Sequence, residues 1–550
     1  MFSSHKRQTI LKDLKDKPLD ILVIGGGITG AGIALDAVTR GMRIGLVDMQ
    51  DFAAGTSSRS TKLVHGGLRY LKQGELKLVS DVGKEREIVY ENGPHVTTPQ
   101  WMMLPFYEGG TFGKITSNIG LLAYDFLAGV KKDERRQILS TREAIMKEPL
   151  LKKEGLKGAG YYVEYKTDDA RLTIEVIKKA VEYGTLALNY AKCTQLFYNQ
   201  TNTIYGVMIE DQMTGKTYSI EAKKIINATG PWVDDLRTLD GSKKGKTLYL
   251  AKGSHLIFSQ EDFPLQQAIY FDAPDGRMIF AIPRDGHTYV GTTDTTFEGD
   301  LKHPTVTKDE VDYLLKAIHH MFPTLSLTAT DIQSSYAGVR PLISQGGKKA
   351  DEISRKDEVF ISKSGLISIA GGKLTGYRKM AEEVVDLVKK QFKKEAGILF
   401  GSSQTSNLPI SGGKIGGADK FRNFKQDMLK KNVSYEIDED ELIKLIQRYG
   451  TNVEVILKLY KECQQEAIAE QIDPIVLAEL KYAIDYELAY KPADFFIRRT
   501  GTMFFDMEWT RAHKENVISY MKKTLDWSAK QSQQYSEELT TLINASILWT

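Results

Sequence analysis

Hydrophobic positions near the start of the chain follow two periods in close succession. Ile21-Leu22-Val23-Ile24 is a continuous apolar run, the pattern of a parallel strand covered on both faces. From Ile28 onward, Ile28, Ala31, Leu35 and Val38 recur at helical spacing. A second strand, Arg43 to Val47, ends at Asp48. Five glycines fall within Asp20 to Asp36, although glycine weakens strand and helix alike, so the backbone there has to approach something closely. Gly25, Gly27 and Gly30 make the G-x-G-x-x-G pattern between strand and helix, where the first glycine permits the turn, the second admits a pyrophosphate and the third lets helix pack on strand; all three are expected at the pyrophosphate. Ile28 and Thr29 open the helix, whose N-terminal N–H groups and dipole favour phosphate. Asp48, eighteen residues after Gly30, is placed to accept from a ribose hydroxyl.

Farther along, "ELKLVSDVGKEREIVYEN" is helical, "LKGAGYYVEYKTDD" is a strand, and "ARLTIEVIKKAVEYG" is an amphipathic helix stopped at Gly184. Strands follow at "LALNYAKCTQLFYN", "TIYGVMIED" and "TYSIEAKKIINATG". The last ends in small residues suited to a return beside the nucleotide. From Ala251 to Gly338 the pattern alternates, and "GRMIFAIPRDGHTYVGTTD" predicts two strands about an Asp285-Gly286 hairpin. This region predicts an antiparallel platform over the nucleotide domain. "LISIAGGKLTGYRKMAEEVVDLVKK" repeats the opening theme of strand, glycines and helix, with the helix starting near Leu374. "SSQTSNLPISGGKIGG" has the composition of a linker, and amphipathic helices follow it.

The expected organisation is thus α/β with an α+β admixture. A Rossmann-like nucleotide domain takes residues 1–70, helical segments and return strands 71–250, and an antiparallel substrate sheet 251–340. A last nucleotide-domain segment takes 341–400 and a helical domain 411–550. Two or three domains suit 550 residues. A net charge of +3 with 26% charged residues, and no nucleic-acid motif, argue against nucleic-acid binding. Cys193 and Cys463 lack metal-ligand spacing, which predicts a reducing compartment and no zinc. The N-terminal stretch lacks an apolar signal core and no stretch suits a bilayer span, so a cytoplasmic or membrane-surface protein is expected.

"GTSSRSTKLVHGGLRYL", "INATGPWVD", "GTTDTTF", "AGVRPL", "AGGKLTGYRKMAE" and "KPADFFIRRTG" occur together. With them the chain resembles the FAD-dependent glycerol-3-phosphate dehydrogenases of bacteria, within the flavoprotein class of the glutathione reductases and D-amino-acid oxidases. The resemblance implies FAD, glycerol 3-phosphate as substrate, dihydroxyacetone phosphate as product and hydride transfer from C2 to flavin N5, and the late "GGKLTG" segment, as a second contact region for an extended dinucleotide, predicts that the FAD is noncovalent. It implies phosphate or substrate contacts at Arg69, Tyr70, Arg340 and Arg355, with Lys373 near the reacting hydroxyl. Arginine suits the task because its planar fork meets phosphate oxygens with two bonds. Thr293 ends a platform strand within reach of substrate hydroxyls, or satisfies backbone groups there. His65 and His255 are both candidates for the base, since histidine titrates near neutral pH. Lys373 or Arg340 is placed to stabilise a developing alkoxide. Thr56, Ser57 and Ser58 offer groups to the cofactor phosphates. Gly372, Lys373, Leu374 and Thr375 open the late helix toward the flavin.

The dehydrogenases of this family pass electrons to quinone and the related oxidases to oxygen. The oxidases carry a long polar insertion between their "GVRPL" and "SR" segments. Here "ISQGGKKADEI" alone separates Leu342 from Ser354, which favours the dehydrogenase. A flavin binder without turnover is the alternative of another class, and the cluster of His65, Arg69, Arg340 and Lys373 argues against it. Quinone as acceptor implies a peripheral protein at the inner face of the cell membrane; a homodimer is left open. Pro492 to Trp509, with Phe495, Phe496, Phe504, Phe505, Arg498 and Arg499, either forms the interfacial patch or fills the core between two domains.

Overall fold

The computed structural model describes residues 2–65, 76–111, 134–344 and 357–549. Two sheets dominate it. The nucleotide sheet runs in the order Glu358–Ile361, Ile367–Ala370, Thr217–Asn227, Leu19–Ile24, Ile44–Val47 and Leu186–Leu188. Four of its junctions are parallel, and the Glu358–Ile361 edge is antiparallel. Leu22, Val23, Leu46 and Ile225 are fully buried, as strands covered on both faces require. Ala191–Tyr198 and Ile204–Asp211 extend the sheet as an antiparallel spur from Thr217–Asn227. The stretch expected as one strand over "LALNYAKCTQLFYN" is broken at Asn189-Tyr190, where Tyr190 has φ +52°.

Helix Ile28–Thr39 lies against helices Asp169–Glu182 and Tyr377–Ala396. It meets the latter at Gly32, where a Cβ would lie 3.0 Å from Tyr377 Cδ2 and 3.2 Å from the Ala381 Cβ. The late helix starts at Tyr377 rather than Leu374, because a 3-10 turn over Leu374–Gly376 precedes it. The expected linker is laid against this domain: Ser403 Oγ donates to Asp36 Oδ1 at 2.5 Å, Gln404 Nε2 to the Thr39 carbonyl at 3.0 Å, and Ile410 is buried.

The platform sheet has ten strands among the described residues. Thr247–Ser259, His287–Gly291, Met278–Arg284 and Ala268–Asp272 come from the alternating region, and Ile332–Ser344 pairs along nearly the full length of Thr247–Ser259. Asp285 and Gly286 form the hairpin with φ +50° and +78°, a pair of positive values that matches the twist of the flanking strands. The platform also takes Leu63–Val64, Thr97–Tyr107 and Leu156–Thr167, which lie outside the expected 251–340. The alternation of "LKGAGYYVEYKT" marks a strand. Its partner, Thr97–Tyr107, is a long-range choice that local periodicity does not encode.

Helices from Phe421 to Ile547 form the C-terminal domain. The Pro492–Trp509 segment is interdomain core, not surface. Phe495 and Phe496 are fully buried, Phe504 packs on Tyr336 with ring centroids 5.0 Å apart, and Phe505 packs on Tyr289 at 5.7 Å. Arg498 and Arg499 are buried against carboxylates rather than exposed to headgroups.

Candidate active site

A cavity of about 1030 Å³ opens between the two sheets. Gly25, Gly27, Ile28 and Thr29 line one end. Gly25 has φ +111°, and a Cβ there would lie 2.4 Å from the Ala228 carbonyl oxygen. Gly30 stands off the cavity: its missing Cβ lets the helix approach to where that atom would be 1.8 Å from the Gly25 carbonyl oxygen. That close approach is helix-on-strand packing. The Ile28 N–H donates to Ser57 Oγ at 3.0 Å, and the Thr56 hydroxyl to the Val339 carbonyl at 2.6 Å. Thr56 and Ser57 line the cavity, whereas Ser58, also expected among the cofactor contacts, is buried behind it on the next position of the 3-10 turn.

Asp48 lines the same end, with Oδ2 accepting from the Gly26 N–H at 2.7 Å and Oδ1 from the Gln50 N–H at 2.8 Å. Each oxygen retains a second lone pair for a hydroxyl donor. Withdrawal from water pushes its pKa up to about 7, against the pull of those two N–H groups.

At the other end, Gly371 and Gly372 turn with φ +75° and +82°. A Cβ on Gly372 would strike Met380 Sδ at 2.4 Å. Gly372, Lys373, Leu374 and Thr375 all line the cavity, and the Lys373 ammonium nitrogen is buried. Thr375 Oγ1 bridges the His65 N–H and carbonyl, each at 3.1 Å, so the strand leading to His65 is stitched to the late helix. The His65 ring stands edge-on to Phe280.

The platform supplies Arg340. Its Nη2 donates to the Thr293 carbonyl at 2.7 Å, to Asp294 Oδ1 at 3.3 Å and to the Lys252 carbonyl at 3.4 Å, which fixes the guanidinium on the cavity wall. Gly253 makes room for it, since a Cβ there would lie 2.8 Å from Nη2. Thr293 lines the cavity, and its side chain is engaged in the wall. Its hydroxyl accepts from the Ser254 N–H at 3.0 Å and donates to Glu310 at 3.2 Å, so Thr293 orients Arg340 through its carbonyl.

Glu310 was not singled out from the sequence. Buried beneath the platform, it also accepts from Lys252 Nζ, Ser254 Oγ, Thr295 Oγ1 and the Thr307 N–H. The pattern Thr307-x-x-Glu310 is a helix-start signature, but nothing local marks its second task. Trp232 was missed as well: it lines the cavity after the Gly230-Pro231 turn and lies over Gly55.

His255 is buried, stacked on Tyr336 at 4.6 Å, with Nε2 3.1 Å from Thr61 Oγ1. Burial, reinforced by the Arg340 and Lys62 cations, pushes its pKa down to about 3, so the ring is neutral over the physiological range. Arg69, Tyr70 and Arg355 lie outside the described residues.

A glycine cradle whose Cβ positions are filled by backbone, a carboxylate beside it, and a second helix start at the far end fit an extended dinucleotide such as FAD. Residues 20–378 match the profile of the family described as FAD dependent oxidoreductase, and residues 403–532 that of the C-terminal domain of alpha-glycerophosphate oxidase. The chain is 56% identical over 547 residues to the aerobic glycerol-3-phosphate dehydrogenase of Bacillus subtilis, covering 100% of this chain and 98% of that protein. It is 52% identical over 542 residues to the protein of the same name from Staphylococcus aureus, covering 98% and 97%. The solved structure of the glycerol-3-phosphate dehydrogenase from Bacillus halodurans complexed with FAD superposes with a TM-score of 0.87 at 45% identity, covering 100% of this chain and 99% of that one. The L-alpha-glycerophosphate oxidase of Mycoplasma pneumoniae with FAD bound shares the fold, with a TM-score of 0.55 at 18% identity over 71% of this chain and 98% of that one. The chain is therefore an FAD flavoprotein that belongs to the FAD dependent oxidoreductase family, in the branch of the bacterial aerobic glycerol-3-phosphate dehydrogenases.

Proposed function

We propose that the chain oxidises sn-glycerol 3-phosphate to dihydroxyacetone phosphate and passes the electrons to a membrane quinone. The observation that carries this reading is the convergence of Arg340, Lys373 and His65 on the cavity that also holds the glycine cradle. That combination is an anion pocket with a titratable group at one end of a flavin site. FAD, when bound, supplies the acceptor for the hydride from C2.

The chain's own residues supply the rest. Arg340, with Arg69, Tyr70 and Arg355 assigned by family resemblance, holds the dianionic phosphate and so places C2. His65 takes the proton of the C2 hydroxyl. His255, held neutral, is too weak a base for that step and orients the hydroxyl instead. The buried Lys373 ammonium stabilises the negative charge that grows on the oxygen as its proton leaves.

Anaerobic addition of glycerol 3-phosphate tests the chemistry: the flavin absorbance bleaches, and an unbleached spectrum ends the reading. The acceptor is tested separately. Reduction of a quinone analogue outrunning oxygen uptake supports the quinone; stoichiometric peroxide supports the oxidase. The second outcome has one observation in its favour, the match of the C-terminal domain to the alpha-glycerophosphate oxidase profile.

Quinone reduction requires contact with the bilayer, in this reading at its inner face. Among the described residues no helix is long and apolar enough to cross a membrane, so that contact is peripheral in this reading. The buried Pro492–Trp509 segment is not available to make it. Flotation with anionic liposomes at low and high salt measures the association.

A further inference from the structure

The loop that follows the second nucleotide-sheet strand has two sides. Asp48, Met49 and Gln50, then Ala54 to Ser57, line the cavity. Asp51, Phe52 and Ala53, between them, turn away and are buried. Phe52 lies under the glycine turn so closely that a Cβ on Gly26 would be 2.3 Å from its Cδ1, and the Ala53 N–H donates to the Gly26 carbonyl at 3.0 Å. Loop and glycine turn are one packed unit, with Asp51 on its back.

Asp51 is held by the other end of the chain. Its Oδ2 accepts from Arg498 Nε at 2.5 Å and Arg499 Nη1 at 2.7 Å, and its Oδ1 from Arg499 Nη2 at 3.0 Å and Asn189 Nδ2 at 2.8 Å. Neighbouring residues of an α-helix point about 100° apart. Here Asp494–Arg499 is π-helical, and two consecutive guanidiniums converge on one carboxylate. Arg498 also donates to Asp494 at 2.6 Å and Arg499 to the Glu487 carbonyl at 2.7 Å. Burial works to raise the Asp51 pKa, yet the two arginines hold it down at about 2. The pair is therefore ionised and bonded at every physiological pH.

We propose that the C-terminal domain is part of the cofactor site: Arg498 and Arg499 are positioning residues that clamp the 48–57 loop from behind, so that FAD binding and docking of the helical domain strengthen one another. Such coupling is reciprocal. FAD tightens the contact at residues 487–500, which do not line the cavity, and loss of the contact weakens FAD.

Both directions are measurable on the full chain. Hydrogen exchange at 487–500 is compared with and without FAD, and FAD affinity is measured for Arg499→Gln, Arg499→Lys and Arg448→Gln. Arg448 pairs with Glu479 inside the helical domain and controls for general loss of stability. We expect FAD to slow exchange at 487–500, and Arg499→Gln to raise the FAD dissociation constant at least about fivefold. Arg499→Lys recovers part of that loss, and Arg448→Gln stays within about twofold of wild type. Exchange that is identical with and without FAD overturns the proposal, as do equal losses of FAD affinity in Arg499→Gln and Arg448→Gln. Should Arg499→Gln fail to fold, the exchange comparison on the wild-type chain decides alone.

Discussion

At the Gly25–Thr29 end of the cavity, negative charge is to be met by backbone. Three glycines let strand, turn and helix come together, with the Asp48 carboxylate beside them. At the other end it is to be met by side chains: Arg340 and Lys373 carry the charge, and a buried hub at Glu310 fixes the turn that orients Arg340. A backbone cradle is rigid once folded and indifferent to pH, but one added methyl destroys it. A cationic pocket adapts to the shape of its ligand, but it needs a second layer of buried polar groups to keep its charges aimed. A cofactor that stays through many turnovers suits the first arrangement, and a substrate that comes and goes suits the second.

The contrast breaks most sharply at Gly30. Gly30→Ala places a Cβ 1.8 Å from the Gly25 carbonyl oxygen, which no rotamer relieves. Overpacking of about 3 kcal/mol corresponds to FAD binding about a hundredfold weaker, read as the ratio of 450 nm to 280 nm absorbance after gel filtration. Retained flavin would show that the helix start tolerates displacement. Arg340→Ala should leave that ratio unchanged and raise KM for glycerol 3-phosphate about ten- to a hundredfold, as loss of a charge-assisted contact of about 1.5–3 kcal/mol implies. Loss of flavin in this variant would mean that the two ends are not separable.

The smallest effect concerns Asp48. Its folded pKa, raised to about 7, lies above the unfolded value of about 3.9. This group's contribution to the stability of FAD-free protein is thus fully present below about pH 3.9 and is lost as pH rises through 7. A ribose hydroxyl donating to the carboxylate favours its ionised form, so FAD affinity should rise by about tenfold between about pH 6 and pH 8. Asp48→Asn should flatten that profile, and an unchanged slope would move the titrating group elsewhere.

The cradle was legible because it is local: strand, glycines, helix and acid lie within thirty residues, and each spacing has one steric reason. Arg340 and Lys373 were legible only through family resemblance, since an arginine in an alternating strand is ordinary by itself. What escaped is what long-range contact decides. Leu156–Thr167 reads as a strand but does not say which sheet it joins, and its partner Thr97–Tyr107 has no alternating pattern to announce it. Ser57 and Ser58 are adjacent and alike, and one turn of 3-10 geometry sends one into the cavity and the other into the core. Pro492–Trp509 has the composition of a membrane-interface segment. Its burial is settled by Asp51, more than four hundred residues away, and by Tyr289 and Tyr336 from the platform.

The contact at Gly32 also sets a length. The two helices that begin at the two ends of the cavity, Ile28–Thr39 and Tyr377–Ala396, pack against each other with Gly32 at the contact. With neither helix free to slide, the gap between their starting ends is a fixed ruler. A ligand satisfies both ends only if it is as long as that gap. A dinucleotide whose pyrophosphate rests on the glycine turn would meet the late helix with one end and Asp48 with the other, whereas a mononucleotide would leave Asp48 unused.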